Sequence, residues 1–266
     1  MALSRSGIAF ETFGSPEAPA LVFSAGLGGG GNYWRAHAEA LSDAYHAVIY
    51  DQAGTAESKG VPLPEPYSVE AMAEDVVDVL DTIGVERAHF VGHAAGGCVG
   101  LDLALHHPGR VASVTVVNGW ARVDRHFARC MEIRRGILEA QGVEAYLRAQ
   151  PLFLFPADWL DAHLDELDAG LAHHIADFQG RDTLFARMAA LERFDATALV
   201  ADIVAPVLLV SARDDLLVNA QASERLAGLL GNVKCVSFER GGHAINVTEF
   251  AKFNAELRQF LASASQ

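Results

Sequence analysis

Three short stretches of this chain carry residue types that could do chemistry together. Gly92-His93-Ala94-Ala95-Gly96 follows the apolar run His89-Phe90-Val91 and precedes a helical stretch. Its glycine spacing is that of G-x-S-x-G, a sharp strand-to-helix turn that lifts a central nucleophile above a sheet. The central residue here is Ala94. A methyl group cannot attack a carbonyl, so a covalent acyl intermediate is closed at this position. Asp214-Asp215 follow a later strand, and Gly241-Gly242-His243 follow the last one. A lone loop histidine is ordinarily a surface residue. An acid upstream makes it a candidate general base, because a carboxylate fixes the imidazole tautomer and stabilises the imidazolium. The bland alternatives are that the aspartates cap the turn after them and that the glycine-flanked turn is a structural relic.

A fourth stretch, Gly26-Leu27-Gly28-Gly29-Gly30-Gly31, matches G-x-G-x-x-G between a strand and a helix. Asp51 lies about 20 residues on, after the next strand, so the spacing imitates a dinucleotide fingerprint. Glycine runs also make plain turns, and they let backbone N–H groups point into a cavity as an oxyanion loop. Asp51-Gln52-Ala53-Gly54-Thr55-Ala56 either orders the loop beside these glycines or forms a surface turn. The pairs His106-His107 and His173-His174 are adjacent, so on a helix their side chains point about 100° apart. No H-E-x-x-H or C-x-x-C occurs, and no metal site is expected. Asn118, Trp120, Arg129, Arg134, Arg135, Gln150, Trp159 and Gln179 could line a small polar pocket, though aromatic residues at such positions are ordinarily core.

The elements that must position these residues alternate. Strand-like runs at Ala20–Ala25, His46–Tyr50, Ala88–Val91 and Val111–Val117 are separated by helical stretches at Ala36–Leu41, Ser68–Ile83 and Gly96–His106. Ser68 is the expected N-cap of its helix and Gly84 its stop. From Ala121 to Leu199 no strand is convincing; the pattern is helical, with breaks expected at Gly136, Gly142, Pro151, Pro156 and Gly180. Alternation then returns with Pro206–Ala212, Ala220–Leu230, Val233–Phe238 and Glu249–Leu261. The expected fold is α/β: a mainly parallel sheet with helices on both faces, built from 1–120 and 200–266, with 121–199 inserted as a helical cap. A chain of 266 residues suits one such unit at roughly 100–200 residues per domain.

Composition narrows the partners. The 20 Lys and Arg against 34 Asp and Glu leave a formal charge of −14, which repels phosphate backbones and anionic lipid. No apolar run reaches the roughly 18–20 residues of a membrane span, and the N-terminus lacks the apolar core of a secretory signal. Cys98, Cys130 and Cys235 are odd in number and widely spaced, which reads as reduced thiols in the cytoplasm.

With the turn, the acid and His243 in register, the chain resembles an α/β-hydrolase over essentially its whole length. The resemblance sharpens to the RutD family of the Rut pyrimidine-degradation pathway. It is carried by Gly26-Leu27-Gly28-Gly29, Tyr33-Trp34, Tyr50-Asp51-Gln52, Val91-Gly92-His93-Ala94 and Val117-Asn118-Gly119-Trp120. It continues through Ala149-Gln150-Pro151-Leu152-Phe153-Leu154, Pro156-Ala157-Asp158-Trp159, Phe178-Gln179-Gly180, Asp214-Asp215-Leu216-Leu217-Val218 and Gly241-Gly242-His243-Ala244. The matches between 121 and 199 are the specific ones, because caps vary most among α/β-hydrolases. RutD-like sequences also carry Ala at the elbow centre. They read Asp-Gln-Arg-Gly-Thr-Gly where this chain has Asp51-Gln52-Ala53-Gly54-Thr55-Ala56, which removes a loop anchor.

The resemblance implies hydrolysis of a small nitrogen compound late in uracil breakdown. Either aminoacrylate gives malonic semialdehyde and ammonia, or carbamate gives carbon dioxide and ammonia; no cofactor is implied. The fold's usual acid position favours Asp215 over Asp214. In that reading a water fills the space left at Ala94 and His243, oriented by Asp215, activates it. The backbone N–H groups of Leu27 and Ala95 hold the oxyanion, and Gly26, His93 and Trp120 line the pocket. Homodimers are common in this fold, and no stretch of the sequence names an interface. A non-catalytic binding protein on a decayed hydrolase fold, or a cofactor-free oxygenase using the same His–Asp pair, remain the alternatives.

Overall fold

The computed structural model describes residues 1–264. Its strands are β1 (Ala2–Leu3), β2 (Ala9–Phe13), β3 (Ala20–Ser24), β4 (His46–Tyr50), β5 (Ala88–His93), β6 (Val111–Val117), β7 (Val207–Ala212) and β8 (Val233–Phe238). They form one sheet in the order β1-β2-β4-β3-β5-β6-β7-β8. The β1–β2 and β2–β4 pairs are antiparallel and every later pair is parallel. Successive strand residues face opposite sides, and that alternation divides the core in two. Val22, Val48, Phe90, Val114 and Leu209 belong to one apolar cluster. Leu21, Phe23, Ile49, Val91, Val117, Leu208 and Val210 belong to the other.

Helices cover both faces. The helices α1 (Arg35–Leu41) and α9 (Phe250–Ala264) bring Ala38, Leu41, Phe253, Leu257 and Leu261 to the second cluster. The helices α2 (Val69–Thr82) and α3 (Ala95–His106) bring Met72, Val76, Val79, Leu80, Val99 and Leu103 to the first. In α2 the Ser68 hydroxyl accepts from the Ala71 N–H, satisfying one of the helix's otherwise unpaired donors. Gly84 stands past its end at φ +71°, a left-handed stop that suits glycine.

Between β6 and β7 the chain is helical: α4 (Arg125–Leu154), α5 (Ala157–Ala176) and α6 (Arg181–Arg193). Pro156 and Gly180 stand at helix starts, and Gly142 (φ 85°, ψ −173°) kinks α4. Gly136 and Pro151, read from the sequence as breaks, lie inside α4. After β7 come α7 (Ala220–Ala227) and α8 (Ile245–Thr248). The sequence pattern starts at β3 and passes over β1 and β2. The strand β1 has two exposed residues, too short to show a period, and its turn onto β2 rests on Gly7 at φ +93°. Among the described residues no helix is long and apolar enough to cross a membrane.

At the junction of β5 and α3 main chain packs closely on main chain. A Cβ on Gly92 would lie 2.1 Å from the Gly96 carbonyl oxygen, and one on Gly96 would lie 2.3 Å from that of Ser24. Both neighbours are main chain and cannot swing aside. Gly92→Ala and Gly96→Ala are each expected to destabilise the protein by about 2–4 kcal/mol, as overpacking against backbone does. Gly136→Ala in α4, where a Cβ meets nothing within 4 Å, should instead stabilise by about 0.5–1 kcal/mol. Urea denaturation of the three variants checks both signs.

Candidate active site

Loops at the C-terminal ends of β3, β5, β7 and β8 converge on one point. The turn after β5 places Ala94 at φ 50°, ψ −108°, the left-handed strained geometry of a nucleophile elbow. The Ala94 N–H is tied to the Val117 carbonyl at 2.8 Å. Ala95 opens α3, so its N–H stands at the positive end of that helix, and no acceptor for it occurs among the described residues.

Beside the elbow, His243 Nδ1 and Asp215 Oδ2 are 2.8 Å apart, and both side chains are buried. The other Asp215 oxygen accepts the N–H groups of Leu217 at 2.7 Å and Val218 at 2.9 Å. The carboxylate is thereby fixed, and His243 Nε2 is left without a partner among the described residues. Asp214 does something else: it accepts from the N–H groups of Gly241 and Gly242 at 3.2 and 2.9 Å, and so shapes the loop that carries the histidine.

The His243 carbonyl is held from two sides. His93 Nε2 lies 2.9 Å from it and Asn118 Nδ2 lies 2.7 Å from it. A carbonyl only accepts, so His93 carries its proton on Nε2. Its ring lies 4.6 Å from the His243 ring and 5.1 Å from that of Tyr33, with its other edge against Gly26. Burial, reinforced by the neighbouring His243, pushes the His93 pKa down to about 3. Asn118, at φ 50° after β6, also accepts from the Ala212 N–H at 3.1 Å. One side chain thus joins the ends of β6, β7 and the histidine loop. Its sequence signal is a polar residue ending an apolar strand.

Leu27 and Gly28 lie in a turn closed by the Gly29 N–H on the Gly26 carbonyl at 3.1 Å, and the N–H groups of Leu27 and Gly28 have no acceptor among the described residues. The glycines of this run serve close packing. A Cβ on Gly29 would meet the Thr55 side chain at 2.5 Å, and one on Gly31 the Tyr50 backbone at 2.7 Å. Asp51 spends both carboxylate oxygens on the N–H groups of Gly31 and Glu57, at 2.7 and 3.1 Å. Its side chain is buried and turned toward these main-chain donors, so the geometry does not suit the dinucleotide reading.

Trp120 is buried against Phe127 of α4, with ring centroids 4.5 Å apart; its Nε1 has no hydrogen-bond partner. The sequence reading gave no role to Arg187 of α6. It is fully buried, burial lowers its pKa, and it bonds to the Gly26 and Leu27 carbonyls and to Gln52. Leu184, Arg187, Met188 and Leu191 share the buried face of α6. A charge at a core position of a helical period is the signal that could have found it. Among the described residues no cluster of three or more His, Cys, Asp or Glu is arranged to hold a metal.

A family model of the α/β-hydrolase fold matches residues 19–142. A RutD protein of Serratia proteamaculans, named provisionally as a carbamate hydrolase, is 46% identical over 254 residues, covering 95% of both chains. Its counterpart in Agrobacterium fabrum, named the same way, is 42% identical over 97% of this chain and 99% of that one. Among solved structures, a hydrolase from Pseudomonas aeruginosa superposes with a TM-score of 0.84 at 28% identity, covering 98% of this chain and 97% of that chain. The enol-lactonase of Burkholderia xenovorans shares the fold, with a TM-score of 0.87 at 24% identity over 98% and 99% of the two chains. This chain belongs to the RutD family of α/β-hydrolases.

The buried, neutral His93 makes a pH-dependent contribution to stability. Its folded pKa of about 3 lies below the unfolded value of about 6.5. The unfolded chain therefore binds the extra proton between those values, and this stability is whole above pH 6.5 and lost as the pH falls. His93→Gln removes the titration. Urea midpoints from pH 7.5 to 5 should fall more steeply in the parent than in the variant; equal slopes would refute the assignment.

Proposed function

We propose that this RutD family hydrolase cleaves a C–N bond of a small nitrogen compound by water attack, without a covalent enzyme intermediate. The observation that carries the reading is the buried His243–Asp215 pair, 2.8 Å from nitrogen to oxygen, beside an elbow that keeps its strained backbone around Ala94. The helical segment 121–199 serves as the cap over this site. A cytoplasmic location fits the unpaired state of Cys98, Cys130 and Cys235.

His243 takes a proton from a water in the space beside Ala94, and Asp215 stabilises the imidazolium so formed. For carbamate, hydroxide adds to the carbon and a tetrahedral oxyanion forms. His243 returns the proton to nitrogen, the C–N bond breaks, and ammonia and bicarbonate leave, the bicarbonate then dehydrating to carbon dioxide. For aminoacrylate, His243 as imidazolium first gives its proton to the enamine carbon and so becomes the base for the water. Water then adds to the resulting imine carbon, and the carbinolamine expels ammonia to give malonic semialdehyde. The N–H groups of Leu27 and Ala95 hold the oxyanion, each worth about 10²–10³-fold if well placed. Carbamate is favoured by the names of the relatives. The competing reading, a binding protein without turnover, rests on the methyl of Ala94.

Ammonia release from freshly generated aminoacrylate and, separately, from carbamate should exceed the uncatalysed rate on one of the two. His243→Ala should bring that excess down by about 10²–10⁴-fold while circular dichroism stays unchanged. No excess on either substrate supports the binding protein. Ala94→Ser is expected to acquire ester hydrolysis with a burst of one equivalent, the sign of a working oxyanion hole. Oxygen consumption coupled to turnover would instead identify an oxygenase.

A further inference from the structure

Where α6 meets the glycine loop, a buried cation makes no contact with a carboxylate among the described residues; Asp75 acts on it only through space. Arg187 is fully buried, and the Tyr67 side chain lies beside it as a polar neighbour. Its guanidinium donates to the loop. Nε donates to the Leu27 carbonyl at 3.1 Å, and Nη2 donates to the Gly26 carbonyl at 3.3 Å and to Gln52 Oε1. Gln179, just before α6, donates its Nε2 to the same Leu27 carbonyl at 3.2 Å. Gln52 Nε2 in turn donates to the Ala25 carbonyl at 2.8 Å and to Ser24 Oγ at 3.0 Å. A run of directed hydrogen bonds therefore joins α6 and the residue before it to the end of β3.

In a planar trans peptide the N–H points away from the C=O of the same unit. Holding the Gly26 carbonyl toward Arg187 turns the Leu27 N–H the other way. Holding the Leu27 carbonyl does the same to the Gly28 N–H. Both N–H groups lack an acceptor among the described residues, and successive N–H groups facing one side make an anion-binding concavity.

We infer that Arg187 is the positioning residue of the oxyanion loop: it sets the Gly26–Leu27 and Leu27–Gly28 peptide planes so that the Leu27 N–H faces the oxyanion together with that of Ala95, and the Gly28 N–H beside it faces a carboxylate oxygen of a small anionic substrate. The inference rests on the hydrolase reading for its catalytic consequence, though not for its geometry. Because the side chain belongs to the cap, the loop is complete only when the cap is seated.

The crystal structure of Arg187→Met reads the two peptide planes without any substrate. At least one is expected to rotate, and unmoved planes overturn the inference. On whichever substrate the parent turns over, kcat should fall by about 10²-fold in Arg187→Met, as misplacement of a catalytic group does, with KM within about threefold. Arg187→Lys should recover part of the loss, and added guanidinium should restore activity to Arg187→Ala. A lowered melting temperature with kcat unchanged, or loss of activity that neither lysine nor guanidinium relieves, assigns Arg187 a purely structural role. If Arg187→Met does not fold, Gln179→Ala removes one donor to the Leu27 carbonyl and should lower kcat by roughly 3–10-fold; unchanged kcat counts against the inference. If the parent turns over neither substrate, the hydrolase reading fails, and the peptide planes still decide the geometry.

Discussion

An alanine held at φ 50° and ψ −108° costs about 1–3 kcal/mol wherever packing enforces it. In this protein two glycines and one strand enforce it. Gly92 and Gly96 bring helix α3 so close to β3 and β5 that a side chain at either position would strike main chain, and the Ala94 N–H is bonded into the end of β6. The rest of the site depends on that turn. It directs His93 toward the His243 carbonyl, and it sets the N-terminus of α3, with the Ala95 N–H, facing the cavity side of the sheet. A strained backbone persists although its usual beneficiary, a nucleophilic side chain, is absent. The same geometry positions the histidine and the helix end, the two features on which the proposed water attack rests.

Charge is distributed unequally between surface and interior. The chain carries a formal charge of −14, yet two arginines of the cap, Arg134 and Arg187, are buried. Arg134 lies over the rings of Tyr146 and Phe153 and donates to Gln150; Arg187 donates to main-chain carbonyls and Gln52. Carbonyls and amides solvate a guanidinium without neutralising it, and the carboxylate that acts on Arg187, Asp75, does so through space rather than in contact. In a medium of low effective dielectric such a charge acts strongly on an anion. Both candidate substrates are carboxylate anions, and both lose a neutral amine.

Strand and helix periods made most of this fold legible in the sequence. The alternation from Ala20 to Val117 and again from Pro206 onward follows from apolar runs bounded by glycine, and the segment between shows only helical spacing. The antiparallel β1 and β2 were not legible, because one is two residues long and their pairing depends on a turn at Gly7. Gly136 and Pro151 misled, since glycine and proline are ordinarily breakers; Gly142 alone bends the helix that contains all three. At the site, Ala94, Asp215 and His243 could be read from spacing. The difference between Asp214 and Asp215 became clear only in three dimensions, where one binds the histidine loop and the other the imidazole. Asn118 and Arg187 were hidden for a related reason. Their roles are hydrogen bonds to main chain more than 90 residues away, and nothing local in sequence reports such a distance.

Water activation requires Asp215 and His243 to act as a pair in the chemical step. Asp215→Asn is the most direct test, because the amide can still accept from Leu217 and Val218 while placing an N–H against His243 Nδ1. That forces the proton onto Nε2 and removes the base. Ammonia release on the better of the two substrates should then fall by about 10²–10⁴-fold in kcat/KM, with the fold intact. An unchanged rate would contradict the water-activation mechanism and leave the pair as a structural contact.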